Sequence, residues 1–449
     1  MPSSNKMLTM KNCLKNLFFV ASLLFSSVVA SQNLLTKSAA VEQAFGQNLS
    51  VRLARNSVQI AENNTSVFNT GQLPTVSANA GVDLDEGGSR FDYNDGSSLK
   101  ANGATSLSSS ASLGVNYLIY DGKARALNIE RLRESKATAD LELRQSMEFT
   151  ALQLLNSYYQ VAQLTENVAL QKEALEVSKQ RLERTRYQYE YGQGIRLNVL
   201  NAEVDLQRDS VNLLNLEAQL ENARRSLNAL IGRPADTQFD IDTTVVYGQG
   251  LSLDAILKQA LQNNVQLLLA EQDLLLSEYD LRLAETTNRP RISANATYAY
   301  ALKDNDTKST IDWQNTRGLN LGLSLRWDLF DGGIRRTRMA NSRVLINNQQ
   351  LLKDQLLLDL ERDVRNAWQN YQTALFVLDT ERRNLATARL NFERSQGQFR
   401  LGQIISVEFR QAQLNLLAAA TNLSIAKYNA KRFELELLQL SGALLVAEF

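Results

Sequence analysis

The sequence predicts an α+β, mainly α fold: a tandem-repeat protomer with four β-strands of membrane-crossing length and long coiled-coil helical hairpins. Three observations point there. Residues 113–125, LGVNYLIYDGKAR, return as LSLRWDLFDGGIR at 323–335, an offset of 210 that also places Gly192 on Gly402, Ala202 on Ala412 and Gly232 on Gly442. Four segments alternate apolar and polar side chains with the two-residue period of a strand. Apolar residues recur every seven positions through runs without Gly or Pro, which implies packed helices with a left-handed supercoil.

Residues 1–30 have the pattern of a secretory signal peptide. Lys11 and Lys15 precede the apolar stretch 17–30, and Val28 and Ala30 hold the small-residue positions before a cut at Ser31. That stretch is short for a membrane span, which needs about 20 residues. Cleavage would remove Cys13, the one cysteine of a chain that has no histidine. Disulfides, thiolate chemistry, His/Cys zinc sites and imidazole acid–base catalysis are then excluded. The 48 basic residues balance 48 acidic ones, so no basic footprint for nucleic acid exists.

The first repeat is expected over residues 31–245. Residues 38–61 have helical composition, with an interruption near Gly46. Strands follow at about 75–85 and 110–120, separated by a Gly/Ser/Asp/Asn-rich loop between 82 and 112, where the offset changes from 216 to 210. Long helices are expected at about 123–191 and 195–231, turning near Gly192. The first would extend about 100 Å at 1.5 Å per residue. Its stripe is Met147, Leu154, Val161, Val168, Leu175, Leu182 and Tyr189; the returning stripe is Val199, Leu206, Leu213, Leu220 and Leu227. Residues 233–252 read as a linker.

The second repeat, 246–449, follows the same plan. A helical segment at 254–286 precedes strands at about 291–301 and 319–329 and helices at about 334–396 and 405–441. The stripes recur as Leu357, Val364, Tyr371, Leu378, Leu385, Phe392 and Phe399, then Phe409, Leu416, Leu423, Ala430 and Leu437. The polar positions between them suit a hollow helical cylinder and equally a solid rod. Prolines occur only at 2, 74, 234 and 290, consistent with long uninterrupted elements.

Apolar-out, polar-in alternation over this length is the pattern of an outer-membrane barrel strand, although a half-buried soluble sheet alternates likewise. Four strands cannot close a barrel, and an open edge is not tolerated in lipid. Several chains must therefore pool their strands. Twelve from three chains is the natural even solution, with two or four chains arithmetically possible.

The tandem unit, the junctions IYDGK and LFDGG, and the turns YEYGQGIRLNVLNAE (189–203) and FRLGQIISVEFRQAQ (399–413) resemble those of the TolC-type outer-membrane efflux channel family. The resemblance implies a homotrimer with a 12-stranded β-barrel on an α-helical barrel, passive conduction, and no cofactor. It implies a periplasmic adaptor (membrane fusion protein) contacting the tips at Gly192, Gln193, Gly194, Gly402 and Gln403, and an inner-membrane transporter of RND or ABC type. The barrel would sit in outer-membrane lipid. Family aperture positions fall on Asn198, Asn201, Glu408 and Gln411, of which only Glu408 is acidic. Ile404 and Phe399 stand where some relatives place a latching Arg and Tyr. Barrel-to-helix junctions fall on Asp121, Gly122, Asp331, Gly332 and Gly333, with each aspartate expected to cap its helix rather than to serve in catalysis. A periplasmic coiled-coil adaptor or tether is the alternative reading.

Overall fold

The computed structural model describes residues 34–248, 250–307 and 311–447. The expected signal peptide and Cys13 lie outside them. Two short helices, α1 (Lys37–Gln47) and α2 (Leu49–Asn64), follow the two-residue strand β1 (Leu34–Leu35). A hairpin of β2 (Thr75–Asp92) and β3 (Ser98–Tyr120) leads into α3 (Ala124–Glu190) and α4 (Arg196–Ile231). After the short β4 (Asp240–Ile241) the plan repeats as α5 (Leu253–Asn263), α6 (Val265–Thr286), β5 (Arg291–Asn305), β6 (Trp313–Arg326), α7 (Ile334–Arg400) and α8 (Ser406–Leu440).

The chain forms two compact units, and they do not coincide with the repeats. One contains the described residues up to Arg52, Met147–Ala260 and the chain from Asp363 onward; the other contains Leu53–Ser146 and Leu261–Arg362. Each unit therefore draws on both repeats. The reason lies in the elements: α3 and α7 each run from one unit into the other, and the strands of both repeats share one sheet.

In the first unit, heptad residues make the core. Leu154, Val161, Val168, Leu182, Leu220 and Leu227 are buried, as are Val364, Tyr371, Leu378, Phe399, Phe409, Ala430 and Leu437. Each fully buried large apolar side chain contributes roughly 1.5–3 kcal/mol, so packing outweighs local propensity. That explains why α7 runs on to Arg400 through Gly397 instead of stopping at 396. One helical glycine costs about 1 kcal/mol. Phe399, just beyond it, stacks on Phe409 with ring centroids 4.7 Å apart.

In the second unit, one antiparallel sheet has the order β2-β3-β5-β6. The strands are longer than expected. The Gly/Ser-rich residues predicted as a loop extend the ladder to Asp92 paired with Ser98, with a bulge between Gly87 and Ser89. Only residues 93–97 turn. There Asp95 accepts the Ser97 N–H at 2.9 Å and the Ser97 hydroxyl at 2.6 Å. Conversely, β6 stops at Arg326 and not at 329. Arg326 pairs with Arg291, and the next partner would be Pro290, which has no N–H to continue the ladder. Trp327 instead donates from Nε1 to the Asn288 carbonyl at 3.0 Å.

The helices before each hairpin break at equivalent asparagines. Asn48, rather than Gly46, separates α1 from α2, and its side chain accepts the Ser50 N–H at 2.9 Å. Asn264 separates α5 from α6 and accepts from Gln266 and Leu267.

Candidate functional site

The sheet register aligns the alternating residues of all four strands. Val76 lies opposite Val115, Ala78 opposite Leu113, Leu113 opposite Tyr298, and Tyr298 opposite Leu319. On the other face the rows are small and polar, as in Ser77–Gly114–Thr297–Asn320 and Asp83–Ser108–Lys303–Gln314. The apolar face is bare: Leu319, Leu321, Leu323 and Leu325 are 63–73% exposed. Trp313 and Trp327 flank this run. From Arg317 to Arg326 is about 30 Å along the strand. At a tilt of about 40° that spans some 23 Å, close to the apolar band of a membrane barrel. No helix of the described residues is long and apolar enough to cross a membrane.

At the two strand-to-helix junctions the same local geometry recurs. Asp121 Oδ2 accepts the Arg125 N–H at 2.8 Å, and Asp331 Oδ2 accepts the Arg335 N–H at 2.9 Å. Asp331 also accepts from Gly333 at 3.0 Å. Each aspartate sits two residues before the cap position and reaches into the first turn, a correction to the expected N-cap placement. Two left-handed residues intervene: Gly122 and Lys123 (φ 73° each), and Gly332 and Gly333 (φ 69° and 91°). The Arg335 N–H, followed by the Gly333 N–H and the Arg335 charge, holds the Asp331 carboxyl below its usual range. Both carboxylates are thus committed to their own helices.

The hairpin tips also match. In each, a glycine at positive φ ends the first long helix in a Schellman motif. Gly192 donates to Tyr189 O and Gln193 to Gln188 O; Gly402 donates to Phe399 O and Gln403 to Gln398 O. Gly194 packs so close to Gln188 that a Cβ would lie 3.2 Å from that side chain. Around the glycines, Tyr191, Ile195 and Leu197 are exposed, and so are their counterparts Leu401, Ile405 and Val407. Glu408 is exposed and accepts the Ile405 N–H at 3.3 Å. Gln411 donates to Asn415 at 2.8 Å. Asn198 is half-buried, and Asn201 exposed. Ile404 is half-buried. Phe399 is buried against Phe409, with the Arg184 guanidinium 5.6 Å over its ring.

The profile of the outer membrane efflux protein family matches residues 40–233 and 256–443, one stretch in each repeat. The chain belongs to that family. It is 21% identical over 339 residues to the outer membrane protein TolC of Vibrio cholerae serotype O1, covering 74% of this chain and 77% of that one. Against the outer membrane efflux protein BepC of Brucella suis biovar 1 it is 19% identical over 432 residues, covering 95% and 90%. Among solved structures, the Campylobacter jejuni CmeC outer membrane channel superposes with a TM-score of 0.73 at 14% identity, covering 91% of this chain and 86% of that one. This outer-membrane efflux protein therefore has a TolC-type fold and belongs to a family of channels, not of enzymes.

Two polar networks of this efflux protein escaped sequence reasoning. Arg410 of α8, 6% exposed, forms a bidentate pair with Asp209 of α4 at 2.7 and 2.8 Å. Ser178 of α3 donates to the same carboxylate, and Gln413 donates to Ser178 and to the Ala174 carbonyl. One buried cluster thus ties α8 to both helices of the first hairpin. The second network holds the expected linker. Lys37, Lys427 and Lys431 donate to the carbonyls of Thr244, Thr243 and Val246. Tyr158 donates to Leu35 O at 2.8 Å and accepts from Asp242 N at 3.1 Å. Burial pushes the Tyr158 hydroxyl up to about 12, which keeps it a neutral donor.

Proposed function

We propose that this protein is the outer-membrane duct of a tripartite efflux or type I secretion assembly, acting as a homotrimer. The carrying observation is the four-stranded sheet, with unpaired edges at β2 and β6 and an uncovered apolar face. An open edge in hydrocarbon leaves backbone polar groups unsatisfied. Pairing β6 of each copy with β2 of the next removes every edge at once, and three copies give a 12-stranded barrel with its polar face inward.

The long helices then form the periplasmic conduit. The matched exposed apolar residues of the two tips suit a periplasmic adaptor, which would couple the duct to an energised inner-membrane transporter of RND or ABC type. Gly192, Gln193, Gly194, Gly402 and Gln403 shape that contact. Glu408, with Gln411, Asn198 and Asn201, surrounds the aperture and supplies three carboxylates per trimer. Conduction is passive.

Reconstitution into a planar bilayer tests this reading. The purified protein should give discrete conductance steps with a cation preference, and Glu408→Gln should weaken the preference without abolishing the pore. Absence of conductance from folded, membrane-inserted protein would contradict it.

A further inference from the structure

β2 and β3 run on beyond the rest of the sheet. β5 ends at Asn305, opposite Ser106, and β6 begins at Trp313, opposite Asp304. Residues 98–105 of β3 therefore pair with β2 alone, out to Ser98 opposite Asp92. Asp306 closes the β5 side at the root of this arm. Its carboxylate accepts the Thr105 N–H at 3.0 Å, and its own N–H donates to the Thr105 carbonyl at 2.9 Å. Joining copies through β6 and β2 leaves the neighbours of β3 unchanged, so no further strand follows there in a closed barrel. From Glu86 to Asp92 the arm extends about 20 Å. A 12-stranded barrel, with strands about 4.8 Å apart and tilted by about 40°, has a backbone radius of about 12 Å. Arms rooted on its rim are long enough to reach the axis.

The arm is jointed near its root. Between the pairs Gly87–Ala104 and Ser89–Ala101, Gly88 stands against both Asn102 and Gly103, one extra residue on β3. Gly103 takes a φ of 62°. A bulge of this kind bends a hairpin and sharpens its twist. Beyond the joint the two faces exchange character. Up to Leu84, the apolar residues of β2 occupy even positions on the lipid side, and small or polar ones occupy odd positions on the lumen side. β2 has no extra residue, so its alternation continues: Arg90 and Asp92 fall on the outer side and Phe91 on the inner one. Arg90 Nε donates to the Asp92 carboxylate at 3.0 Å, which puts these two on a common face. Lys100 lies opposite Arg90, and Leu99 opposite Phe91. The outer side thus becomes charged and the inner side apolar, with Phe91 52% exposed. Lipid cannot cover an apolar pair that faces the barrel axis, whereas the same pair on the other arms can.

We infer that the three arms of a trimer converge over the outer mouth of the barrel, where Phe91 and Leu99 of each copy pack against the same residues of the other two. The contact narrows the exit of the duct. It is confined to two side chains per copy, so outgoing cargo can part it, and the glycine joint lets each arm swing. This rests on the reading above that three copies close one barrel.

The test uses the full chain with Cys13→Ser and one added cysteine: Phe91→Cys, Leu99→Cys, Arg90→Cys or Asp92→Cys. Intact cells are oxidised with copper phenanthroline and the chain is run on non-reducing denaturing gels. Disulfides form only between close, facing cysteines. Phe91→Cys and Leu99→Cys should each give covalent dimers, while Arg90→Cys and Asp92→Cys, on the opposite face of the same arm, should stay monomeric. Light scattering of each variant, extracted in detergent without oxidation, counts the chains per particle. Three chains per particle with no crosslink at Phe91→Cys and Leu99→Cys overturn the proposal and leave the trimer standing, as does equal crosslinking at all four positions. One chain per particle overturns the trimer reading and the proposal with it. The two inner-face positions lie on different strands, so if one variant fails to assemble the other decides.

Discussion

Lys123 is the one non-glycine among the described residues held at positive φ. Its counterpart is Gly333. The left-handed conformation costs a side-chain-bearing residue about 1–2 kcal/mol, and hydrogen bonds to the Asp121 carboxylate, each worth roughly 1.5–3 kcal/mol, offset it. Lys123→Gly should therefore stabilise the protein by about 1 kcal/mol. The neighbouring glycines are unequal. A Cβ at Gly122 would lie 2.4 Å from Arg289 Cβ, whereas at Gly332 it would meet nothing within 4 Å. Gly122→Ala should thus cost well over the roughly 1 kcal/mol expected of Gly332→Ala. Thermal dissociation of the three variants checks the order; equal losses at the two glycines would refute the close approach. A larger effect is expected at Arg410. Arg410→Ala strands Asp209 in a buried site and should cost about 3–5 kcal/mol, while Arg410→Met with Asp209→Leu should recover most of it. Chemical denaturation followed by circular dichroism reads both. The junction aspartates were legible in the sequence because the motif occurs twice. The Arg410 cluster was not: its partners lie about 200 residues apart, sit on three helices, and have no counterpart at the repeat offset, where Leu200 replaces Arg410 and Ala419 replaces Asp209.

At the scale of elements, periodicity carried far. The heptad positions of α3, α4, α7 and α8 are buried or half-buried, with Tyr189 the exception, and α3 and α7 each contain 67 residues. Ends were harder, because neighbours decide them. Pro290 on β5 stops β6, and only the register of the sheet makes that visible. The expected linker proved to be a strap held by lysine and tyrosine side chains, whose targets are backbone carbonyls without sequence signature. Glycines announced the tip turns, but not the exposed apolar residues around them. If these receive an adaptor, photo-crosslinkers placed at Tyr191 or Leu401 in intact cells should capture a periplasmic protein. Val407→Asp with Ile195→Asp should abolish capture without lowering the amount of channel in the membrane. Unchanged capture would contradict a role for this apolar surface.

For the whole molecule, the duplication was legible and its consequence in space was not. Equal repeats suggest two domains laid out along the chain, yet each compact unit combines halves of both repeats, because β3 pairs with β5 across the repeat boundary. That pairing joins two hairpins into one sheet and leaves β2 and β6 as its edges. The same sheet carries a full apolar face with nothing on it. The edges vanish when copies join edge to edge, and the apolar face is covered when the closed barrel sits in lipid, which is the central claim. Single-particle electron microscopy of the detergent-purified protein tests it most directly. It should show three chains around one axis, with twelve strands closing a barrel and the β6 edge of each chain paired to β2 of the next. A monomeric particle that stays soluble without detergent, or a sheet with free edges, would contradict it.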